Sequence, residues 1–141
     1  MVKMGLTANI ELISQYDEYK HEDGIIKKDE IKSWKGTMMV DTGAIRLVIN
    51  ESIKKQLGLK NGIKMNVTLA NGETSSLELV GGIKVNFMER TCYTDAFVLP
   101  SDTEPLLGAI PLEGMDLVVI PSEQKLVYNP EHPDGALFAL K

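Results

Sequence analysis

The residues most able to do chemistry lie in one short run, Met39-Val40-Asp41-Thr42-Gly43-Ala44. Two apolar residues deliver a carboxylate, and a hydroxyl and a glycine follow it. An ionised carboxylate at the end of an apolar strand is costly to bury unless a donor meets it. Gly43 has no Cβ, so the backbone can pass close enough for its N–H to be that donor. Thr42 offers a hydroxyl to the neighbouring backbone. The same residue types also make an ordinary turn at a strand end, and the run alone does not choose between a site and a turn.

Other chemistries find little support. Cys92 is the single cysteine, which excludes an intramolecular disulfide and a cysteine-based zinc site within one chain. It reads as a structural thiol in a strand beside Tyr93. His21 and His132 are too few and too isolated for a metal cluster, so no metal or cofactor is expected. The 141 residues carry 15 Lys+Arg against 20 Asp+Glu, a net charge of −5. That balance argues against nucleic-acid binding and against anionic membrane surfaces. With 43% hydrophobic residues and a mean hydropathy of −0.07, the composition fits one folded domain without a membrane span. The first ten residues lack the apolar stretch of a signal peptide, so the expected location is a reducing, cytoplasmic one.

The elements that must hold Asp41 are mostly strands. Ile63-Lys64-Met65-Asn66-Val67-Thr68-Leu69 alternates with period two, as a half-buried strand does. Asn71-Gly72 follows as a hairpin turn, and the chain returns through residues 76–80. Gly81-Gly82 punctuates before residues 83–87, and residues 88–90 turn into residues 91–99. Residues 6–13 and 36–40 read as strands. Residues 17–30 carry both signs of charge and read as a solvated hairpin or loop, with Asp23-Gly24 as a turn. Two segments read as short helices. Asn50 caps residues 51–57 with Gly58 as the stop, and Pro111 suits the first turn of a helix over residues 110–115. Residues 117–120 and 125–128 form a closing pair of strands. Residues 1–129 are expected to make the domain, and residues 130–141 a peripheral tail.

A second motif, Leu106-Leu107-Gly108, repeats the apolar-apolar delivery and leads into the second helix. In this order and separation the two motifs resemble the retropepsin-like aspartic proteases of single-domain bacterial or archaeal type, over nearly the whole chain. The resemblance implies a mainly all-β fold: a closed, six-stranded-type acid-protease β-barrel with one or two short helices, equivalent to half of the active enzyme. It assigns Asp41 as the acid/base carboxylate. Thr42 would brace the two catalytic loops across a dimer axis, Gly43 would position substrate, and Ala44 would line the cleft floor. Ala70, Asn71 and Gly72 would form the tip of a flap over the substrate. Leu106, Leu107 and Gly108 would pack under the catalytic loop. Ile45 stands where bacterial members often carry a small hydroxyl residue.

Peptide hydrolysis by this route needs two carboxylates sharing one water and one proton. The chain offers one suitable aspartate. Asp23-Gly24 and Asp134-Gly135 lack the hydroxyl residue, and Asp102-Thr103 is followed by Glu104. The site must therefore form across a two-fold axis, with Asp41 from each of two copies. The expected function is that of a homodimeric aspartic endopeptidase acting on peptide or protein substrates. The alternatives are a non-catalytic peptide-binding module of the same fold and a monomer with a solitary Asp41. Trp34 is expected in the core or at the dimer contact, and Arg46 could pair with Asp116 or Glu113.

Overall fold

The computed structural model describes residues 5–100 and 102–140. β1 (Thr7–Ser14) buries Ala8, Ile10, Leu12 and Ser14, every second residue, as a strand with one face on a core must. It runs directly into α1 (Gln15–Glu22), which corrects the expected solvated loop. Ser14 caps this helix by accepting from the Asp17 N–H at 3.2 Å. Asp17 is buried, and its carboxylate accepts from the Lys32 N–H at 2.9 Å and lies 3.4 Å from Lys32 Nζ. These contacts hold a helix that has no apolar stripe of its own.

β2 (Ser33–Val40) returns antiparallel to β1, with Thr7 opposite Met39. Trp34 is half-buried against the core, and its indole ring occupies the space a side chain at Gly36 would need. After the Asp41 loop come β3 (Leu47–Asn50) and α2 (Glu51–Leu57). Asn50 caps α2 by accepting from the Ile53 N–H, and Gly58 stops it in the left-handed conformation, φ 61°. Ile53 and Leu57, one turn apart, pack that face into the core.

β4 (Ile63–Thr68) and β5 (Thr74–Phe87) form the expected hairpin. Only Gly72 takes positive φ in its turn, while Asn71 contributes a side-chain oxygen that accepts from the Glu73 N–H. β4 is not half-buried as its alternation suggested. Ile63 and Met65 are exposed, and Val67 alone of its apolar residues is half-buried. β5 is one continuous strand, and Gly81-Gly82 is a bulge within it rather than a break. β6 (Arg90–Leu99) follows after a two-residue turn.

β7 (Leu106–Leu107) is two residues long, but it sets the topology. It pairs parallel to β2 and antiparallel to β3. β3 pairs parallel to β6, β6 antiparallel to β5, and β5 antiparallel to β1. The ring β1-β2-β7-β3-β6-β5 therefore closes on itself as a six-stranded barrel, with β4 appended outside it. Leu12, Met38, Leu47, Ile49, Ile83 and Leu107 fill the interior and are fully buried. Burial of such side chains stabilises by about 1.5–3 kcal/mol each.

α3 (Ala109–Gly114) leaves β7 directly. With α1 and α2 it makes three short α-helices among the described residues, against the one or two expected. β8 (Leu117–Ile120) and β9 (Lys125–Tyr128) pair with each other as a separate two-stranded sheet and do not join the barrel.

Candidate active site

Asp41 stands where β2 leaves the barrel. Its N–H donates to the Leu107 carbonyl at 3.0 Å, so β7 fixes the backbone at the point where the carboxylate emerges. The Gly43 N–H donates to Asp41 Oδ1 at 2.9 Å, the contact expected from the residue types alone. The Ala44 N–H donates back to the Asp41 carbonyl at 3.1 Å and closes the turn. Asp41 is half-buried, while Thr42 and Gly43 are exposed.

The loop is propped from below. The Ala109 N–H donates to the Ala44 carbonyl and the Ile110 N–H to the Ile45 carbonyl, both at 2.8 Å. The start of α3 is thus stitched to the far side of the Asp41 loop. Gly108 makes this approach possible, since a Cβ there would sit 2.3 Å from the Arg46 carbonyl oxygen and 2.6 Å from that of Ala44.

Above the loop lies a cleft of about 680 Å³. Asp41 is the one ionisable side chain on its wall, with Gly43, Ala44 and Ile45 beside it. The rest is almost wholly apolar: Val48, Leu106, Phe97, Leu99 and Leu77 from the barrel, and Val67, Thr68, Leu69 and Ala70 from the β4–β5 hairpin. Of the expected flap residues only Ala70 lines the cleft. Asn71 and Gly72 sit at the exposed tip beyond it. Leu106 lines the cleft, whereas Leu107 is core and Gly108 is buried beneath the loop.

The wall residues Val48, Leu77, Phe97 and Leu99 were not singled out from sequence. Around Val48, Phe97 and Leu99 the strands are apolar on both faces, so alternation alone does not tell cleft from core there. The register does: Val48 lies opposite both Leu106 and Phe97, and Phe97 opposite Leu79, so this face turns outward while Ala96 and Val98 turn inward. Arg46 pairs with neither Asp116 nor Glu113. It meets Asp95 at 2.7 Å, with its guanidinium 5.9 Å from the centre of the Phe97 ring. The pairing of β3 with β6 places Asp95 one residue before the partner of Leu47.

Among the described residues there is no group of three or more His, Cys, Asp or Glu side chains able to hold a metal ion. None of their helices is long and apolar enough to cross a membrane. Cys92 is half-buried, and burial pushes its thiol up to about 11. No curated protein matches the chain. A family model described as gag-polyprotein putative aspartyl protease matches residues 30–116, which include the Asp41 loop, the hairpin and every cleft-wall residue named above.

Proposed function

This chain belongs to the retropepsin-like, gag-type aspartyl protease family, and from that premise we propose that it is a homodimeric aspartic endopeptidase. The observation that carries the reading is the Asp41 carboxylate, held by the Gly43 N–H and opening on an apolar cleft. Each protomer contributes one Asp41. The deprotonated member of the pair takes a proton from water, and the protonated member donates to the peptide carbonyl oxygen. Two carboxylates so close cannot both ionise easily, so the pair holds one proton between them and titrates as a unit. The water oxygen adds to the carbonyl carbon; the carboxyl that took the water proton then passes it to the leaving nitrogen while the other accepts a proton from a hydroxyl of the tetrahedral species, so the C–N bond breaks and the pair returns to its starting state without a covalent enzyme intermediate.

Thr42, exposed beside Asp41, braces the two loops across the axis. Gly43 positions the substrate, Ala44 lines the cleft floor, and Ala70, Asn71 and Gly72 form the tip of a flap over the substrate. Leu106, Leu107 and Gly108 support the loop. The free thiol of Cys92 favours a reducing compartment, and the cytoplasm is the location we propose.

The test is Asp41→Asn, compared with wild type on a denatured mixed-protein substrate at about pH 4 to 7. Sedimentation is run alongside. Loss of cleavage with an intact dimer is the expected result. Cleavage retained in the variant overturns the assignment. An intact wild-type dimer that binds peptides without cutting them identifies a binding module instead.

A further inference from the structure

A polar cluster lies outside the cleft, at the other end of α3. Asp116 has a left-handed backbone, φ 54°, a conformation that Asp and Asn adopt more readily than most residues. Its carboxylate gathers donors from the segment after β9. Asn129 Nδ2 donates to Oδ1 at 3.0 Å, His132 Nδ1 lies 2.7 Å from Oδ2, and the Leu137 N–H donates to Oδ2 at 3.1 Å.

Arg90 is buried beneath the cluster and faces it from β6. Its Nη1 donates to the Met115 and Asp116 carbonyls, its Nη2 to the His132 carbonyl, and it stacks 4.3 Å from the centre of the Tyr128 ring. Nη1 also lies 4.0 Å from Asp116 Oδ2. One carboxylate and one guanidinium thus tie three places together: the end of α3, the barrel wall, and residues 129–137.

We propose that residues 129–137 form a strap that holds α3 against the catalytic loop, with Asp116 and His132 as its positioning residues. The effect on cleavage rests on the endopeptidase reading; the mechanical coupling does not. α3 is a single short helix. Its first two N–H groups bond the Ala44 and Ile45 carbonyls, and its C-terminal end is the one the strap clamps. Holding one end restrains the other, because a short hydrogen-bonded helix moves as a unit. On this reading the working domain ends near residue 137 rather than residue 129.

The test compares His132→Ala, His132→Asn and Asp116→Asn with the full-length wild type. Asn at position 132 can place an amide N–H where His132 Nδ1 lies, and Asn at position 116 keeps the left-handed backbone accessible. Amide hydrogen exchange at Ala109 and Ile110 reads the coupling without any need for activity. Exchange there is expected to quicken roughly tenfold in His132→Ala and Asp116→Asn. kcat is expected to fall roughly threefold or more with KM little changed, and His132→Asn to restore both. If the Leu137 amide loses protection while Ala109, Ile110 and kcat stay at wild-type values, the strap is only a tether and the proposal is wrong. A wild type that cuts nothing defeats the endopeptidase reading, and the exchange data still decide the strap.

Discussion

Gly108→Ala is the sharpest test of how the site is built. The added methyl would lie 2.3 Å from the Arg46 carbonyl oxygen, 2.6 Å from the Ala44 carbonyl oxygen and 3.0 Å from the Ala44 carbonyl carbon. All three are backbone atoms, so no side chain can swing aside. Restoring ordinary contact distances of about 3.3 Å requires the catalytic loop and the start of α3 to separate by about 1 Å. The same separation stretches the Ala109–Ala44 and Ile110–Ile45 hydrogen bonds, which now measure 2.8 Å. Overpacking of this kind costs about 1–3 kcal/mol, which is a melting temperature lower by roughly 3–10 °C. Catalysis should suffer more than stability, because a displacement of about 1 Å at a catalytic group costs on the order of a hundredfold. The matched control is Gly81→Ala: its added Cβ meets nothing within 4 Å, and a change within about 0.5 kcal/mol is expected. The assay is thermal unfolding beside kcat on a peptide that the wild type cleaves. A Gly108→Ala protein that melts with the wild type and cleaves within about threefold of it would refute the claim that this close approach sets the loop.

Asn50→Ala removes the α2 cap and the 2.9 Å bond from Asn50 Nδ2 to the Thr103 carbonyl, so a loss of about 1–2 kcal/mol in urea unfolding is expected. The Cys92 thiol, raised to about 11 by burial, should react with a thiol reagent at mildly alkaline pH far more slowly than in the unfolded chain. Fast labelling of the folded protein would contradict the burial. Asn129, the Leu137 N–H and His132 hold the Asp116 carboxyl below its ordinary value, with Arg90 facing the same group. A lowered folded value gives stability that is present above the ordinary carboxylate range and is lost as pH falls through the folded value. Wild type should therefore out-melt Asp116→Asn at neutral pH, and the gap should narrow on acidification.

Local signals were legible where a single residue decides a backbone event. Asn50 and Gly58 bound α2 as read, Asn71-Gly72 turns the hairpin, and the Gly43 N–H meets Asp41. The two motifs that build and seat the Asp41 loop were visible because each pairs an apolar run with a glycine that the backbone must approach closely. What escaped depended on neighbours distant in sequence. α1 reads as a charged loop because its stability comes from buried Asp17 and its bond to Lys32, fifteen residues on. The Ser14–Asp17 capping pair was the one local signal that could have revealed it. The cleft wall could not be separated from the core, since Phe97 and Val98 are equally apolar neighbours pointing opposite ways. Arg46 meets Asp95 only because β3 and β6 lie side by side, a pairing that no spacing announces.

The two-residue strand β7 also dictates an order of events in time. The barrel stays open until Leu106 and Leu107 insert between β2 and β3, and the β1–β5 seam joins segments some seventy residues apart. Such long-range closure makes folding slow compared with that of a helical protein of equal size. During synthesis, a chain lacking residue 107 can neither complete the ring nor offer the Leu107 carbonyl to the Asp41 N–H. A nascent chain therefore emerges with the Asp41 loop unseated, and β7, the last barrel strand to leave the ribosome, completes the ring and the support of that loop together.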